Sequence, residues 1–237
     1  MKNIIFGIIL VLSIPANTFA ITGKEVLTRV QENYEQIQSL EVNMDYLLYR
    51  GYTSKEVKEN YTALFKRSGK NSYRKIAHSE YIVEDDLMIC INHDDRQITL
   101  THAVESDVVD PEIKNSLRYC SDILVLDNNG KNTSIELILK KESDLPYSRI
   151  RIDLDEDYWI EQLTFFYNTQ VNFSSSYFSP QMDYPRLEVR YRDLKKNWKD
   201  ETGIARLNNY VQITDDKIEA TPLYKAYTII DNRTKKL

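Results

Sequence analysis

The sequence predicts an α+β fold, in which a large, mostly antiparallel sheet carries one or two amphipathic helices on one face. Apolar residues recur at helical spacing in two stretches and alternate with polar residues in most of the others. Seventeen tyrosines suit half-buried strands, because a tyrosine joins an apolar ring to a polar tip. No long linker and no fixed-period repeat divides the sequence, so we expect one domain over residues 21–237.

The first twenty residues have the pattern of a secretory signal peptide. Lys2 gives a positive start, residues 4–14 are almost all apolar, and Thr18 and Ala20 supply small residues before a cleavage site. No cysteine stands near that site, so we expect no lipid anchor. A net charge of -5 argues against a nucleic-acid partner. We therefore expect an exported, periplasmic protein whose mature chain begins near Ile21.

An amphipathic helix is predicted from about Gly23 to Ser39. Thr22 and Glu25 have the spacing of a capping box, which satisfies free backbone N–H groups at a helix start. One apolar stripe follows at helical spacing, formed by Val26, Leu27, Val30, Tyr34 and Ile37. Such a stripe must be buried against another apolar surface.

A series of short strands follows this helix, because apolar and polar residues alternate and turn-forming residues separate the segments. The predicted strands cover residues 40–48, 57–65, 73–78, 81–83, 87–92, 97–102, 135–139, 150–152, 159–167 and 187–191. After a polar stretch at 195–203, two last strands are predicted over 210–213 and 223–230.

A second helix is predicted after Asp110 and Pro111, which are typical of a helix start. Its apolar stripe would consist of Ile113, Leu117, Cys120 and Leu124. The other cysteine, Cys90, falls on a predicted strand. An oxidising compartment permits a disulfide between the two cysteines, but both could equally be small buried side chains. The sequence leaves these alternatives open.

Motifs for chemistry are missing from the sequence. The three histidines have neither zinc-ligand spacing nor flanking cysteine pairs, and no nucleophile elbow, P-loop or dinucleotide fingerprint occurs. The acidic run at 153–157 begins like a calcium loop, but Tyr158 stands where that loop needs glycine. We therefore expect no catalytic residue, no metal ligand, no cofactor and a non-enzymatic function.

The order of these segments carries a resemblance to a known family. A helix closing with Gln38-Ser39-Leu40 runs directly into a strand, the segments 80–85, 87–91 and 96–100 follow, and 149–153 and 160–166 come after the second helix. This order resembles the LolA-like superfamily of outer-membrane lipoprotein carriers. The resemblance implies a strongly curved, unclosed antiparallel β-barrel covered by helices, with a cavity for acyl chains of lipoproteins or other lipids. The first strand has no Arg where a lid-locking Arg would sit in that family.

Two functions are compatible with this fold. The first is a periplasmic carrier or binding protein for lipoprotein acyl chains or another apolar ligand, with the first helix as a lid. The cavity would then be lined by Val30, Tyr34, Met44, Tyr46, Phe65, Ile89, Leu137, Leu163 and Phe165, where the inward face of each strand depends on its register. The second is an envelope protein-interaction or sensor module with a filled core, suggested by the additional segment 195–237. We expect a monomer in either case.

Overall fold

A computed structural model describes residues 21–103, 116–128, 131–175, 178–199, 203–214 and 217–233. The predicted signal peptide, residues 1–20, lies outside the described residues. Helix α1, Gly23–Gln36, begins with the predicted capping box. The Glu25 N–H donates to Thr22 Oγ1 at 3.3 Å, and the Thr22 N–H donates to the Glu25 carboxylate at 2.7 Å. The helix ends three residues earlier than predicted, because Ile37 is already extended.

The described residues contain sixteen strands. In chain order they are β1 Ser39–Tyr49, β2 Val57–Ser68, β3 Asn71–Ile76, β4 Ser79–Glu84, β5 Leu87–Asn92, β6 Gln97–His102, β7 Cys120–Asn128, β8 Thr133–Leu139, β9 Tyr147–Leu154, β10 Ile160–Tyr167, β11 Val171–Asn172, β12 Met182–Asp183, β13 Arg186–Lys196, β14 Val211–Ile213, β15 Ile218–Ala220 and β16 Thr228–Asp231. Two 3₁₀ turns, Leu207–Asn209 and Pro222–Tyr224, lie near β14 and β16.

Twelve strands form one curved, open sheet in the order β16-β6-β5-β4-β3-β2-β1-β13-β10-β9-β8-β7. All neighbours are antiparallel except β16 and β6, which are parallel. β16 and β7 are the two edges, so the sheet does not close into a barrel. The predicted α+β class, with an unclosed antiparallel sheet and a helix on it, is confirmed.

The strand register places two apolar cores on opposite faces of this sheet. Directly paired residues point to the same face, whereas successive residues of a strand point to opposite faces. A continuous path of paired residues links β1 to β5 through Glu41, Lys66, Tyr73, Ile82 and Ile89. Val42 follows Glu41 on β1 and therefore lies on the other face.

The first core lies between α1 and the face that carries Val42, which we call the helix face. Val26 and Val30 of α1 are 0% and 2% exposed there. The other fully or nearly buried members include Leu40, Val42, Met44, Ala63, Ile135, Leu137, Ile150, Ile152, Leu154, Trp159, Leu163, Phe165 and Val189. This core belongs to the half of the sheet that runs from β2 to β7.

The second core lies on the opposite face, over β3 to β6. It is covered by residues 203–214 and 217–231, which we call the C-terminal cover. The sheet contributes Tyr73, Ile82, Ile89, Ile91, Ile98 and Leu100, and the C-terminal cover contributes Ala205, Leu207, Tyr210, Val211 and Tyr224. The sequence predicted a cover on one face only, so the second cover is a finding of the structure.

The predicted second helix is wrong from Cys120 onward. Residues 116–118 are helical, but Cys120 already begins β7 and pairs with Leu139 of β8. The run Ile123 to Leu126 is apolar at every position, so it fits the helical period of 3.6 residues as well as the strand period of two. The hydrogen-bonded pairing with β8 makes it a strand. Ile113 lies outside the described residues. The last predicted strand is also shorter, since Thr228–Asp231 is extended but residues 222–224 form a 3₁₀ turn.

Candidate functional site

The helix face brings together eight of the nine residues predicted to line a cavity. Val30 and Tyr34 project from α1, and the other six come from β1, β2, β8 and β10. Six of the eight are buried, whereas Tyr46 and Phe65 are half-buried at the margin of the core. On the sheet, the members are Met44, Tyr46, Phe65, Leu137, Leu163 and Phe165.

Ile89 was assigned to the wrong face. It is fully buried in the second core, beneath the C-terminal cover, and pairs with Ile82 and Leu100. The neighbours of Ile89 on β5 are Met88 and Cys90, which point to the helix face and are only half-buried. A strand with apolar residues on both faces gives no internal signal of its orientation, and this explains the error.

The C-terminal end of α1 is held by a buried arginine of β2. Arg67 is 7% exposed, and its Nη2 donates to the backbone oxygens of Tyr34 at 2.9 Å and Ile37 at 2.7 Å. Its Nε has no hydrogen-bond partner, and no ion pair within the described residues includes Arg67. Burial lowers the pKa of the Arg67 guanidinium from its usual range. A cation thus satisfies carbonyls at a helix end at a considerable desolvation cost.

Few polar contacts hold the rest of α1. The Asn33 side chain donates to the Asp157 backbone oxygen at 2.6 Å, and Arg29 donates to the Tyr158 hydroxyl at 2.8 Å. At the start of the helix, Gly23 lies directly against Ile123 of β7. A Cβ on Gly23 would come within 2.3 Å of Ile123 Cγ2, so only glycine allows this close approach.

Aromatic rings continue the helix face where its burial is incomplete. The rings of Tyr46 and Tyr61 stack at 4.9 Å, and Tyr147 contacts both Phe165 and Tyr167 at 5.0 Å between ring centroids. We call Tyr46, Tyr61, Tyr147 and Tyr167 the tyrosine patch. Its rings join the buried core to solvent, since Tyr61 is 36% exposed and the other three are half-buried.

The opposite face of this half of the sheet is charged. Glu188 binds Arg186 at 2.8 Å and Arg190 at 2.7 Å, and Arg151 binds Asp153 at 2.8 Å. An open cleft of about 500 Å³ lies on this face, and it is lined by Asp127, Asn132, Ser134, Arg151, Asp153, Leu154, Glu161, Gln162, Arg190, Tyr191 and Arg192. Its three arginines are each paired with a carboxylate, so none of them is left to bind an anionic ligand.

The two cysteines are free thiols, and the structure contains no bridge between them. Cys90 lies on β5 and Cys120 on β7, which are the third and the twelfth strands in the sheet order. Burial raises the pKa of both thiols, so neither is activated as a nucleophile. The disulfide was suggested by a predicted helix at Cys120, but Cys120 lies at the start of strand β7.

Neither a metal centre nor a membrane-spanning helix is apparent in the part of the chain that the structure describes. Within those residues, no group of three His, Cys, Asp or Glu side chains is arranged to hold a metal ion. Also within them, no helix combines the length and the apolar character that crossing a membrane requires.

Sequence reasoning missed Arg67, although a signal for it was present. Ala63, Phe65 and Arg67 occupy alternate positions of β2, so an arginine continues the apolar side of a strand. A charged residue on an apolar face is rarely buried without a specific partner. The partners here are main-chain oxygens of α1, which no side-chain pattern reveals. For the close approach of Gly23 to Ile123, the sequence gives no indication other than the glycine itself.

Comparison with known proteins gives similar structures of low sequence identity. No family model and no curated protein matches the sequence. A "putative outer membrane lipoprotein-sorting protein domain" from Vibrio parahaemolyticus matches with 11% identity, over 78% of this chain and 96% of that chain, at a TM-score of 0.38. A DUF1329 family protein from Desulfovibrio piger matches with 12% identity over 78% and 96%, at a TM-score of 0.36.

An uncharacterized conserved protein from Thermus thermophilus matches with 8% identity, over 88% of this chain and 98% of that chain, at a TM-score of 0.47. A protein described as a lipoprotein-sorting domain is thus among the similar structures. All three TM-scores lie below 0.5, so these similarities carry no argument about function.

Proposed function

We propose that this protein is a non-enzymatic periplasmic carrier or binding protein for acyl chains of lipoproteins or for another apolar ligand. In this proposal the helix face is the wall of the binding site and α1 is its lid. The observation that carries the proposal is the cover itself. One helix of 14 residues, held by few polar contacts, shields a continuous apolar face that extends into the half-exposed tyrosine patch.

The geometry of α1 suits an opening movement about its C-terminal end. Only Ile37 and Gln38 separate the helix from β1, and Arg67 holds this junction. The end at Gly23 lies farthest from the junction and rests on Ile123. Opening would therefore lift the N-terminal end and leave the C-terminal end as the pivot.

The energies of opening and of ligand binding are comparable. Exposing two buried valines and one tyrosine costs about 6 kcal/mol, at roughly 2 kcal/mol for each side chain. Burying an acyl chain returns about 0.8 kcal/mol for each CH₂, so a chain of about ten methylene groups offsets that cost. Arg67 stays at the pivot, so its two hydrogen bonds to the backbone oxygens of Tyr34 and Ile37 are kept during opening.

A reversible tether between α1 and the turn that precedes β10 tests the proposal. Arg29→Cys with Tyr158→Cys places one thiol on each side of the contact between Arg29 and Tyr158, and oxidation by a short bis-methanethiosulfonate links the two thiols through a disulfide-bonded bridge. The pair is made in a Cys90→Ser, Cys120→Ser background, and the two single-cysteine variants serve as matched controls. Binding of palmitate and of a triacylated lipopeptide is measured by native mass spectrometry before and after oxidation.

The carrier proposal predicts binding by the reduced pair and by both controls, and a loss of at least tenfold after oxidation of the pair alone. Equal binding in the tethered and untethered states would contradict a lid role for α1. A complete absence of binding in every state would contradict carriage itself.

A protein-interaction or sensor module is the second candidate. It is favoured by the close seating of α1, because Val26 and Val30 are 0% and 2% exposed and leave no gap at those positions. This function predicts that no lipid binds in any state of the tether. The C-terminal segment that suggested it has a structural role as a cover, so a chain ending at Leu194 would expose the second core.

A further inference from the structure

An exposed apolar hairpin projects between β10 and β13. Its strands are β11 and β12, and Phe178 in the connecting loop is 100% exposed. Val171, Met182 and Tyr184 are 43%, 48% and 41% exposed. Isolated apolar side chains are ordinary on a protein surface, but four exposed ones at and beside one short hairpin require an explanation.

The base of this hairpin is firmly attached to the loop between β1 and β2. Asp183 lies 3.8 Å from Arg50, and Arg186 donates to the backbone oxygens of Gly51 at 3.1 Å and Tyr52 at 2.7 Å. Within the hairpin, Asn172 Oδ1 accepts from the N–H of residue 181 at 2.9 Å. The apolar side chains are therefore presented on a held support rather than on a free tail.

The only charged residue of the described hairpin strands is Asp183 at the base, which lies against Arg50. The sequence contains no Asp, Glu, Lys or Arg from position 168 to position 182, although 28% of the whole chain is charged. Moving a charged side chain out of water is costly, whereas hydroxyl and amide groups can keep hydrogen bonds in a lipid headgroup region. Exposed Lys55 lies on the adjoining loop, and a lysine there would add attraction to anionic lipid headgroups once the hairpin docks.

The placement of the apolar residues favours a bilayer over a protein partner. Val171 pairs with Asp183, and Asn172 pairs with Met182, so Val171 and Met182 lie on opposite faces of the hairpin. A protein surface that packs on one face would leave the other face exposed. A membrane interface surrounds an inserted hairpin on all sides and so buries both faces together with Phe178.

We propose that this hairpin docks the protein on a phospholipid bilayer by inserting Phe178, Met182 and Val171 into the interface. The proposal does not depend on acyl-chain carriage by the helix face. Reversible interfacial binding needs only a modest apolar area, and aromatic rings are favoured at headgroup depth. The contact is therefore a peripheral one, with the fold remaining outside the hydrocarbon core.

Vesicle binding by the chain from Ile21 onward tests this proposal, because the apolar run at residues 4–14 would itself bind lipid. Phe178→Asp is compared with Leu223→Asp, which adds the same charge at a residue of the C-terminal cover that is 80% exposed. Sedimentation with vesicles of phosphatidylethanolamine and phosphatidylglycerol gives the partition coefficient of each protein. Circular dichroism establishes that both variants are folded.

We expect the unaltered chain and Leu223→Asp to bind the vesicles equally, and Phe178→Asp to bind at least tenfold more weakly. Phe178→Trp should show quenching of its fluorescence by brominated lipid, measured against the unaltered chain. Absence of binding by the unaltered chain, or equal binding by both aspartate variants, would overturn the proposal. Binding of palmitate in solution is measured separately, so a failure here is distinguishable from a failure of carriage.

Discussion

The two covers of the sheet differ in how they are attached. Helix α1 rests on the helix face through an apolar stripe, one close approach at Gly23 and a buried arginine at its end. The C-terminal cover continues the sheet itself, since β16 pairs with β6 over four residues. Its other anchors include the N–H of Leu207, which donates to the Glu84 carboxylate at 2.9 Å.

A cluster of tyrosines strengthens the C-terminal cover further. The ring of Tyr224 lies 5.5 Å from that of Tyr210 and 5.2 Å from that of Tyr227. The Tyr227 hydroxyl lies 2.8 Å from Nδ1 of His93, whose Nε2 lies 3.0 Å from the Glu80 carboxylate. We therefore expect the C-terminal cover to be a fixed part of the core and α1 to be the cover that opens.

The largest expected effect is at Leu207, which is 5% exposed in the second core. Leu207→Asp buries a carboxylate near Glu84, so we expect the free energy of unfolding to fall by more than about 4 kcal/mol. Leu223→Asp is the matched control, and at its exposed site we expect a change within about 0.5 kcal/mol. Urea denaturation followed by circular dichroism measures both. Similar midpoints would show that the C-terminal cover is not part of the core.

The second-largest effect is the displacement of α1 that we expect from a substitution at Gly23. Gly23→Ala places a methyl group against both Cγ2 and the backbone oxygen of Ile123, at 2.3 and 2.9 Å. The strain of about 1–3 kcal/mol exceeds the gain in helix propensity of at most about 1 kcal/mol, so α1 is displaced. We expect increased binding of an apolar dye and a lower unfolding midpoint.

A double-mutant cycle with Ile123→Ala isolates that contact, because alanine removes Cγ2 but keeps the backbone oxygen. We expect partial rescue of Gly23→Ala, with a coupling energy of about 1 kcal/mol. If the effects of the two substitutions add strictly, residues 23 and 123 do not interact, and the predicted close contact between them is contradicted.

Alkaline pH should weaken the C-terminal cover. Burial, with a further contribution from the charge of Glu80, raises the pKa of Tyr224 to about 12, and burial also raises the pKa of Tyr73. Since these folded-state values exceed the unfolded value of about 10, the stabilisation is complete below pH ~10 and is lost as the pH rises through the folded pKa. Absorbance of tyrosinate, recorded with circular dichroism, should show a delayed group of tyrosines that ionises together with unfolding. Tyrosine ionisation that is complete before any structural change would contradict this assignment.

The smallest effects compare one hydrogen bond in each cover. Tyr227→Phe removes the contact with His93, and Tyr158→Phe removes the contact with Arg29 of α1. Each is worth about 1 kcal/mol. We expect Tyr227→Phe to lower global stability, and Tyr158→Phe to accelerate hydrogen exchange in α1 alone. Lower global stability in Tyr158→Phe, with only local changes in hydrogen exchange in Tyr227→Phe, would indicate that α1 is the fixed cover and the C-terminal cover the mobile one.

The two covers also show what the sequence can reveal. The capping box and apolar stripe predicted α1, and period-two alternation predicted most strands, because both patterns are local. The assignment of Ile89 failed because β5 is apolar on both sides, so only pairing with distant strands fixes its face. The C-terminal cover was missed for the same reason. Its buried residues lie in turns and short strands that become a core only against β3 to β6.

Native-state hydrogen exchange at low urea concentrations tests the central claim most directly, since it gives an opening free energy for each segment. We expect the amides of α1 to exchange through a local opening that is insensitive to urea and lies at least ~2 kcal/mol below global unfolding. The amides of β16 and β6 should exchange only with global unfolding. Equal opening free energies in α1 and β16, with the same dependence on urea, would contradict the conclusion that one cover opens and the other is fixed.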